Sequence, residues 1–335
     1  MYRPALKPTG YSFFTYRSRH KILISLAIFV SAVISLNFLA SALKSFALIN
    51  SLNGNLPKHL DRSNGGVIIA VLSTDDEAGM LRREYGRRWW RRYQNSLSIP
   101  EPGANTSTTV PFNWIFIVDT SKQTHWEGDV LYLNTPSGYK HLGEKMRRLF
   151  IYLSQKFTSM EFLIKTDDDV VLCLNRLAKA VSEVPKEKRR RIYGGTLWNA
   201  ELPQDPKHKF YDPLFVQDTR GTVIKTHPYG VGAAYMVGWD LVRFIGRNAE
   251  ELKVYEIEDL MVGTWLYGLD RYWADYDGDF NCGCFKYAEK FLGKANEAKG
   301  IHDKSIWGER SVWWHDCKTR FQLDGCHAVF KDSAC

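Results

Sequence analysis

Three consecutive carboxylates, Asp167, Asp168 and Asp169, close the run Phe162-Leu-Ile-Lys-Thr-Asp-Asp-Asp. Negative charges this close repel one another unless a cation neutralises them. Hard oxygen ligands suit Mn²⁺ or Mg²⁺, and either ion can screen a diphosphate and stabilise it as a leaving group. The same residues also make a solvated acidic turn or a helix N-cap, so the triplet alone leaves both readings open. A second acidic pair, Glu258-Asp259, starts a segment that reads as a helix through Trp265 and Leu266. A carboxylate held near an apolar wall can serve as a general base, taking the proton from an attacking hydroxyl. Its plainer role is an acidic first turn that complements the helix dipole.

Elements that could position these acids follow from the hydrophobic pattern. Val67 to Leu72 is a continuous apolar run bounded by Gly65-Gly66 and Ser73-Thr74-Asp75, the pattern of a buried strand. Trp114 to Val118, Val130 to Leu133 and Glu161 to Lys165 repeat it. Helical patterns separate them. Tyr85, Trp89 and Tyr93 recur every four residues on one face, with Arg83, Arg87 and Arg91 on another. Leu142, Met146, Leu149, Leu153 and Phe157 supply a second apolar stripe. Strands alternating with such helices predict an α/β fold with a mainly parallel, two-sided sheet. In such sheets ligands bind beyond the carboxyl ends of strands, where the Asp triplet falls.

The 335 residues, 44% apolar and 24% charged, describe a folded protein, expected as one large domain after a membrane segment is set aside. Ile22 to Leu43 carries no charge and is long enough as a helix to cross a hydrocarbon core of roughly 30 Å. Arg3, Lys7, Arg17, Arg19 and Lys21 precede it without an acid. The positive-inside rule then makes residues 1–21 a cytoplasmic tail, 22–43 a single transmembrane signal-anchor, 44–64 a short stem and 65–335 a lumenal domain. Five of the formal +8 charges belong to the tail, so the basic balance implies no nucleic-acid partner. The cysteines, Cys173, Cys282, Cys284, Cys317, Cys326 and Cys335, all lie on the lumenal side, where disulfides persist, and their pairing is left open. Asn105-Thr106-Ser107 is a glycosylation sequon.

Six segments in order resemble the beta-1,3-galactosyltransferase family, glycosyltransferase family 31, which also includes beta-1,3-N-acetylglucosaminyltransferases and Fringe proteins. Arg82-Arg-Glu-Tyr-Gly-Arg-Arg-Trp-Trp90 resembles its opening arginine-rich motif, and Tyr139-Lys-His-Leu-Gly-Glu-Lys145 its Y-x-x-L-x-x-K. Phe162 to Val170 resembles its acidic strand end, Lys209-Phe-Tyr211 its K-[WY]-Y element, and His227 to Tyr235 its element of proline, glycine and tyrosine. Glu258-Asp-Leu-Met-Val-Gly263 resembles its E-D-V-x-x-G. The match covers residues 67 to 320, nearly the whole lumenal region.

The resemblance implies a GT-A, Rossmann-like α/β domain and a hexosyltransferase that inverts the anomeric carbon of a UDP-sugar, galactose first among them. Asp167 and Asp169 would form its D-x-D pair, Asp169 as direct metal ligand, with Asp168 nearer the ribose or donor sugar. Asp259 would be the general base, and Arg87 and Lys145 would approach the uridine diphosphate. Among His302, His315 and His327, His315 is favoured as a further metal ligand because Val312-Trp-Trp-His-Asp-Cys-Lys318 resembles the family's late strand ending in a histidine. A glycan on protein or lipid would be the acceptor, the protein would sit in the Golgi membrane, and a homo-oligomer is compatible with the pattern. Departures are Gly86 and Trp89 in the first motif, and Ala233-Ala234 where the family carries a glycine pair, which puts transferred acceptor preferences in doubt. Three other activities fit the same residues: a UDP-GlcNAc-dependent enzyme, a membrane-anchored sugar-binding protein without turnover, and a nucleotide-sugar hydrolase.

Overall fold

A computed structural model describes residues 28–37, 39, 60, 66–93, 96–100, 107–275, 283–284, 313–315 and 317–331. The expected tail, most of the stem, Asn105, Cys282, Cys335 and His302 lie outside the described residues. The chain divides into two compact units, Met1–Asn53 and Gly54–Cys335. In the first, residues 28–37 and 39 are helical and exposed, a part of the apolar run read as a membrane anchor. Among the described residues no helix is long and apolar enough to cross a membrane.

The second unit opens with β1 (Val67–Leu72), α1 (Glu77–Trp90), β2 (Ser96–Pro100), β3 (Ser107–Thr120), β4 (His125–Glu127) and β5 (Val130–Asn134). It continues through α2 (Leu142–Lys156), β6 (Phe162–Asp167), β7 (Val171–Leu172), α3 (Leu174–Ser182), β8 (Ile192–Trp198) and α4 (Pro213–Asp218). Then come β9 (Tyr229–Gly238), α5 (Trp239–Asn248), α6 (Glu258–Tyr267), β10 (Tyr272–Asp275), β11 (Gly283–Cys284), β12 (Trp313–His315) and α7 (Arg320–Lys331). Three of the four strand expectations fall inside β1, β3 and β5, and the fourth, Glu161 to Lys165, overlaps β6, which starts one residue later at Phe162.

The main sheet runs β10-β8-β9-β6-β1-β3-β5-β4, with β2 added to β3. Its centre, β6-β1-β3-β5, is parallel, as the alternating pattern predicts, and β8 and β10 also pair in parallel. The sheet is nevertheless mixed: β9 runs antiparallel between β6 and β8, and β2 and β4 are antiparallel additions. Apolar runs report that a strand is buried, not which way it points, so this reversal is invisible to periodicity. Its consequence is large. The first residues of β9 arrive at the carboxyl end of β6, beside the Asp triplet.

The helices cover the sheet with the faces the sequence predicts. Tyr85 and Trp89 of α1 and Met146, Leu149 and Leu153 of α2 are buried, as is Phe157 just beyond α2. Arg83, on the arginine face of α1, is nevertheless 4% exposed and donates from Nη1 to Ser73 Oγ (3.0 Å) and to the Thr74 carbonyl, clamping the end of β1. Helix α6 lies so close to β9 that a Cβ on Gly263 would come within 2.3 Å of Tyr229 Cβ. That contact sets the distance from the first turn of α6 to the strand, and only glycine permits it. Gly263→Ala should therefore lower stability by about 1–3 kcal/mol, the usual result of overpacking a close contact, read as a fall in urea midpoint at unchanged m-value.

Candidate active site

Residues two apart on a strand face the same side, so Lys165 and Asp167 of β6 point together. Opposite Lys165 in the β9 register is Tyr235. The Lys165 ammonium is 1% exposed and directs its three N–H groups at Asp167 Oδ1 (2.8 Å), Glu258 Oε1 (2.7 Å) and the Gly232 carbonyl. Glu258 Oε2 accepts from the Tyr235 hydroxyl at 2.9 Å. One buried cation thus joins the acidic turn after β6 to the acidic first turn of α6. Burial pushes the lysine down, but the Asp167 and Glu258 charges outweigh it and hold the ammonium above its ordinary range. Burial, with the Asp259 and Asp167 charges adding to it and Lys165 opposing, pushes the Glu258 carboxyl up to about 7.

Asp259 stands next to this tie and is only half-buried, so it is reachable from outside. Its Oδ2 accepts the Gly232 N–H and its Oδ1 the Leu260 N–H, both at 2.8 Å. A Cβ on Gly232 would lie 2.9 Å from Glu258 Oε1 and 3.1 Å from Asp259 Oδ2, so a side chain at this position would collide with both acids. Burial raises the Asp259 carboxyl above its ordinary value, against Lys165 and the two N–H groups, which suits a group that must take up a proton. Tyr139, 42% exposed at the mouth of the site, is pushed up to about 12 by burial and then by the Asp259, Glu258 and Asp167 charges. Its ring carries the Lys209 ammonium 4.8 Å from its centre. Buried Asp212 fixes the neighbouring loop, accepting from Leu214 and Phe215 at the start of α4 and from Glu256 and Ile257 just before α6.

The other two members of the triplet diverge. Asp168 accepts from Arg82 Nε (2.7 Å) and Ser73 Oγ (2.8 Å), and burial pushes its carboxyl up to about 6 despite both partners. Asp169 is buried, with His315 Nε2 at 3.5 Å and Lys318 Nζ at 3.6 Å. His315 arrives because β12 pairs antiparallel with β7, and the Cys317 N–H donates to the Asp169 carbonyl. A disulfide from Cys317 to Cys326 ties the end of this strand to α7, and Cys173 is disulfide-bonded as well. Ligand atoms of Asp167, Asp169 and His315 lie within 4.8 Å of one another. Two carboxylates and an imidazole at that spacing fit a divalent cation such as Mn²⁺ or Mg²⁺.

The structure therefore brings together Asp167, Asp168, Asp169, His315 and Asp259. Lys145 lies one layer behind: it is buried, 2.7 Å from Asp119 at the end of β3 and 3.5 Å from the Ser73 carbonyl. Arg87 is elsewhere. It grips Asp129 with Nε (2.9 Å) and Nη2 (2.7 Å) and covers the Phe116 ring, and the arginine that reaches the triplet is Arg82. The His327 ring packs on Tyr85 and Trp89, and burial pushes it down to about 4. Sequence reasoning assigned no role to Lys165, Arg82, Ser73 or Gly232, and to Glu258 only a place in the acidic pair that opens the helix. The available signal was a lysine inside a strand otherwise buried, which requires an anionic partner.

The fold is a mixed α/β protein whose strand ends carry a carboxylate-rich, cation-compatible site. Residues 116–272, just under half of the chain, match the family model described as galactosyltransferase. It is 24% identical over 139 residues to UDP-GalNAc:beta-1,3-N-acetylgalactosaminyltransferase 2 of Xenopus tropicalis, covering 41% of this chain and 26% of that one. It is 27% identical over 211 residues to beta-1,3-galactosyltransferase 7 of Arabidopsis thaliana, covering 55% of this chain and 52% of that one. The chain thus spans between a quarter and about half of these relatives. A solved galactosyltransferase, LgtC with donor and acceptor sugar analogues, overlaps 80% of this chain and 95% of its own at 10% identity and a TM-score of 0.38, a likeness too slight to argue from.

The raised Glu258 carboxyl has a measurable consequence. A carboxyl raised by folding favours the protonated fold, so its contribution is complete below its ordinary value near 4.5 and is lost as pH rises through about 7. In EDTA, the melting temperature should fall between pH 6 and pH 8, and this slope should flatten in Glu258→Gln, followed by circular dichroism.

Proposed function

We propose that the protein is an inverting, metal-dependent glycosyltransferase of GT-A type that moves a hexose, galactose first among candidates, from a UDP-sugar to a hydroxyl of an acceptor sugar. The bond formed is a beta-1,3 linkage on a glycoprotein or glycolipid glycan. The observation that carries this reading is the union, through Lys165, of a cation-compatible acidic turn with the reachable carboxylate of Asp259.

A divalent cation on Asp167, Asp169 and His315 would neutralise the donor diphosphate as it leaves. Asp259 takes the proton of the acceptor hydroxyl as that oxygen attacks the anomeric carbon from the face opposite UDP, which inverts the configuration. Its two backbone N–H donors keep the carboxylate oriented while the proton arrives. Asp168, held by Arg82 and Ser73, is placed to accept hydroxyls of the ribose or donor sugar. Lys145 braces the ends of β1 and β3, beside which the nucleotide would lie. The charge-free run from Ile22, with the basic residues before it, supports a type II anchor in the Golgi membrane. A UDP-N-acetylhexosamine donor is the second reading, favoured by the relative named as an N-acetylgalactosaminyltransferase.

The full chain, given each UDP-sugar with a panel of acceptor sugars and Mn²⁺, should release UDP only with its own donor and faster with acceptor present. Asp169→Ala and Asp259→Asn should each cut the rate by about 10²- to 10⁴-fold, and undiminished transfer in EDTA would overturn the metal-dependent reading. His315→Ala should raise the Mn²⁺ concentration for half-maximal rate by about tenfold.

A further inference from the structure

The geometry points to Lys165 as a positioning residue for the transfer reaction, acting with Glu258 to set where the base Asp259 stands relative to the metal turn. This rests on the glycosyl-transfer reading above. Lys165 is at the floor of the site, buried beneath Gly232, and its ammonium has three donors and three acceptors, so no N–H group is left for a substrate. Two of those acceptors belong to the two halves of the chemistry: Asp167, which shares the cation cluster, and Glu258, the residue before the base. The third, the Gly232 carbonyl, belongs to the residue whose own N–H holds Asp259. The ammonium thus fixes Asp259 twice, once through the first turn of α6 and once through β9.

Tyr235 completes the arrangement. Its hydroxyl occupies the Glu258 oxygen that Lys165 does not, and its ring lies 5.7 Å from the ammonium. Both oxygens of Glu258 are thereby spent inside the protein, which leaves Asp259 as the acid of this pair that faces outward. Loss of Lys165 would leave Asp167, Glu258 and Asp259 crowded without a counter-charge, and their mutual repulsion would widen the gap between leaving group and base. Misplacement by about 1 Å is enough to cost roughly 100-fold in rate without touching a substrate contact.

The test measures kcat and donor KM for Lys165→Met, Glu258→Gln and the double variant, with Mn²⁺ binding followed separately by titration. The expected result is a 10- to 100-fold fall in kcat for each single variant with donor KM and Mn²⁺ affinity within threefold. The double variant should be no slower than the slower single, because both break the same tie. A tenfold rise in donor KM with kcat retained would overturn the inference by making Lys165 a donor contact. A kcat within twofold of the parent would also overturn it, as would strictly multiplicative losses in the double variant. If Lys165→Met does not fold, Glu258→Gln decides through the same split between kcat and KM. A parent protein that binds Mn²⁺ but transfers no sugar would overturn the glycosyl-transfer reading itself, an outcome distinct from variants that match an active parent.

Discussion

One ammonium group carries the site. Lys165 lies in a strand whose neighbours are Ile164 and Thr166, both buried, and a lone charge there would be strongly unfavourable. It is tolerated because two carboxylates and a carbonyl complete its coordination. The dependence runs both ways: Glu258 is itself buried, and without the lysine it could stay charged only at a steep desolvation cost. A buried ion pair of this kind is weak support for stability, since apolar residues of the same shape would pack as well. Its value is geometric, because it holds together two acidic segments that repel each other.

The sheet makes that tie reachable. β1, β3 and β6 are parallel and end together at Ser73, Asp119 and Asp167, which gathers polar groups at one edge. β9 runs the other way, so its beginning rather than its end meets this edge, and Gly232 lies where the two directions meet. An all-parallel neighbour of β6 would have brought its carboxyl end here and placed Tyr229 to Gly232 at the far side. α6 then packs on β9 through Gly263 and Tyr229, which brings Glu258 and Asp259 against Gly232. The two glycines are therefore spacing elements: one sets the helix on the strand, the other makes room for the carboxylates.

Much of this was legible in the sequence, and the remainder was hidden for identifiable reasons. β1, β3, β5 and β6 followed from unbroken apolar runs, and α2 from its stripe, because burial against a sheet leaves a periodic record. The Asp triplet and the Glu258-Asp259 pair stood out as acids at element boundaries, the family resemblance singled out Asp167, Asp169, Asp259 and His315 among the candidates, and the structure gathers them. Arg87 was chosen over Arg82 because both lie in one basic motif, and a helical pattern cannot say which arginine faces Asp168 and which faces Asp129. The helical pattern likewise does not reveal that Arg83 is buried, because the acceptors that allow it, Ser73 and Thr74, lie beyond the helix. Lys165 escaped notice for a related reason: its partners come from α6 and β9, so nothing local in β6 reveals that the charge is satisfied.

Charge balance at the end of β6 gives the arrangement its last constraint. Five carboxyl groups, Asp167, Asp168, Asp169, Glu258 and Asp259, converge there, and among the described residues the cations seen in contact with them include Lys165, Arg82 and Lys318. Negative charge is in excess among these groups, and ligand atoms of Asp167, Asp169 and His315 lie close enough for one divalent cation to share them. Burial first, and then the charge of neighbouring carboxylates, raises Asp168, Glu258 and Asp259 above their ordinary values. A divalent cation held by Asp167, Asp169 and His315 would neutralise that end of the cluster, as Lys165 neutralises the Glu258 end.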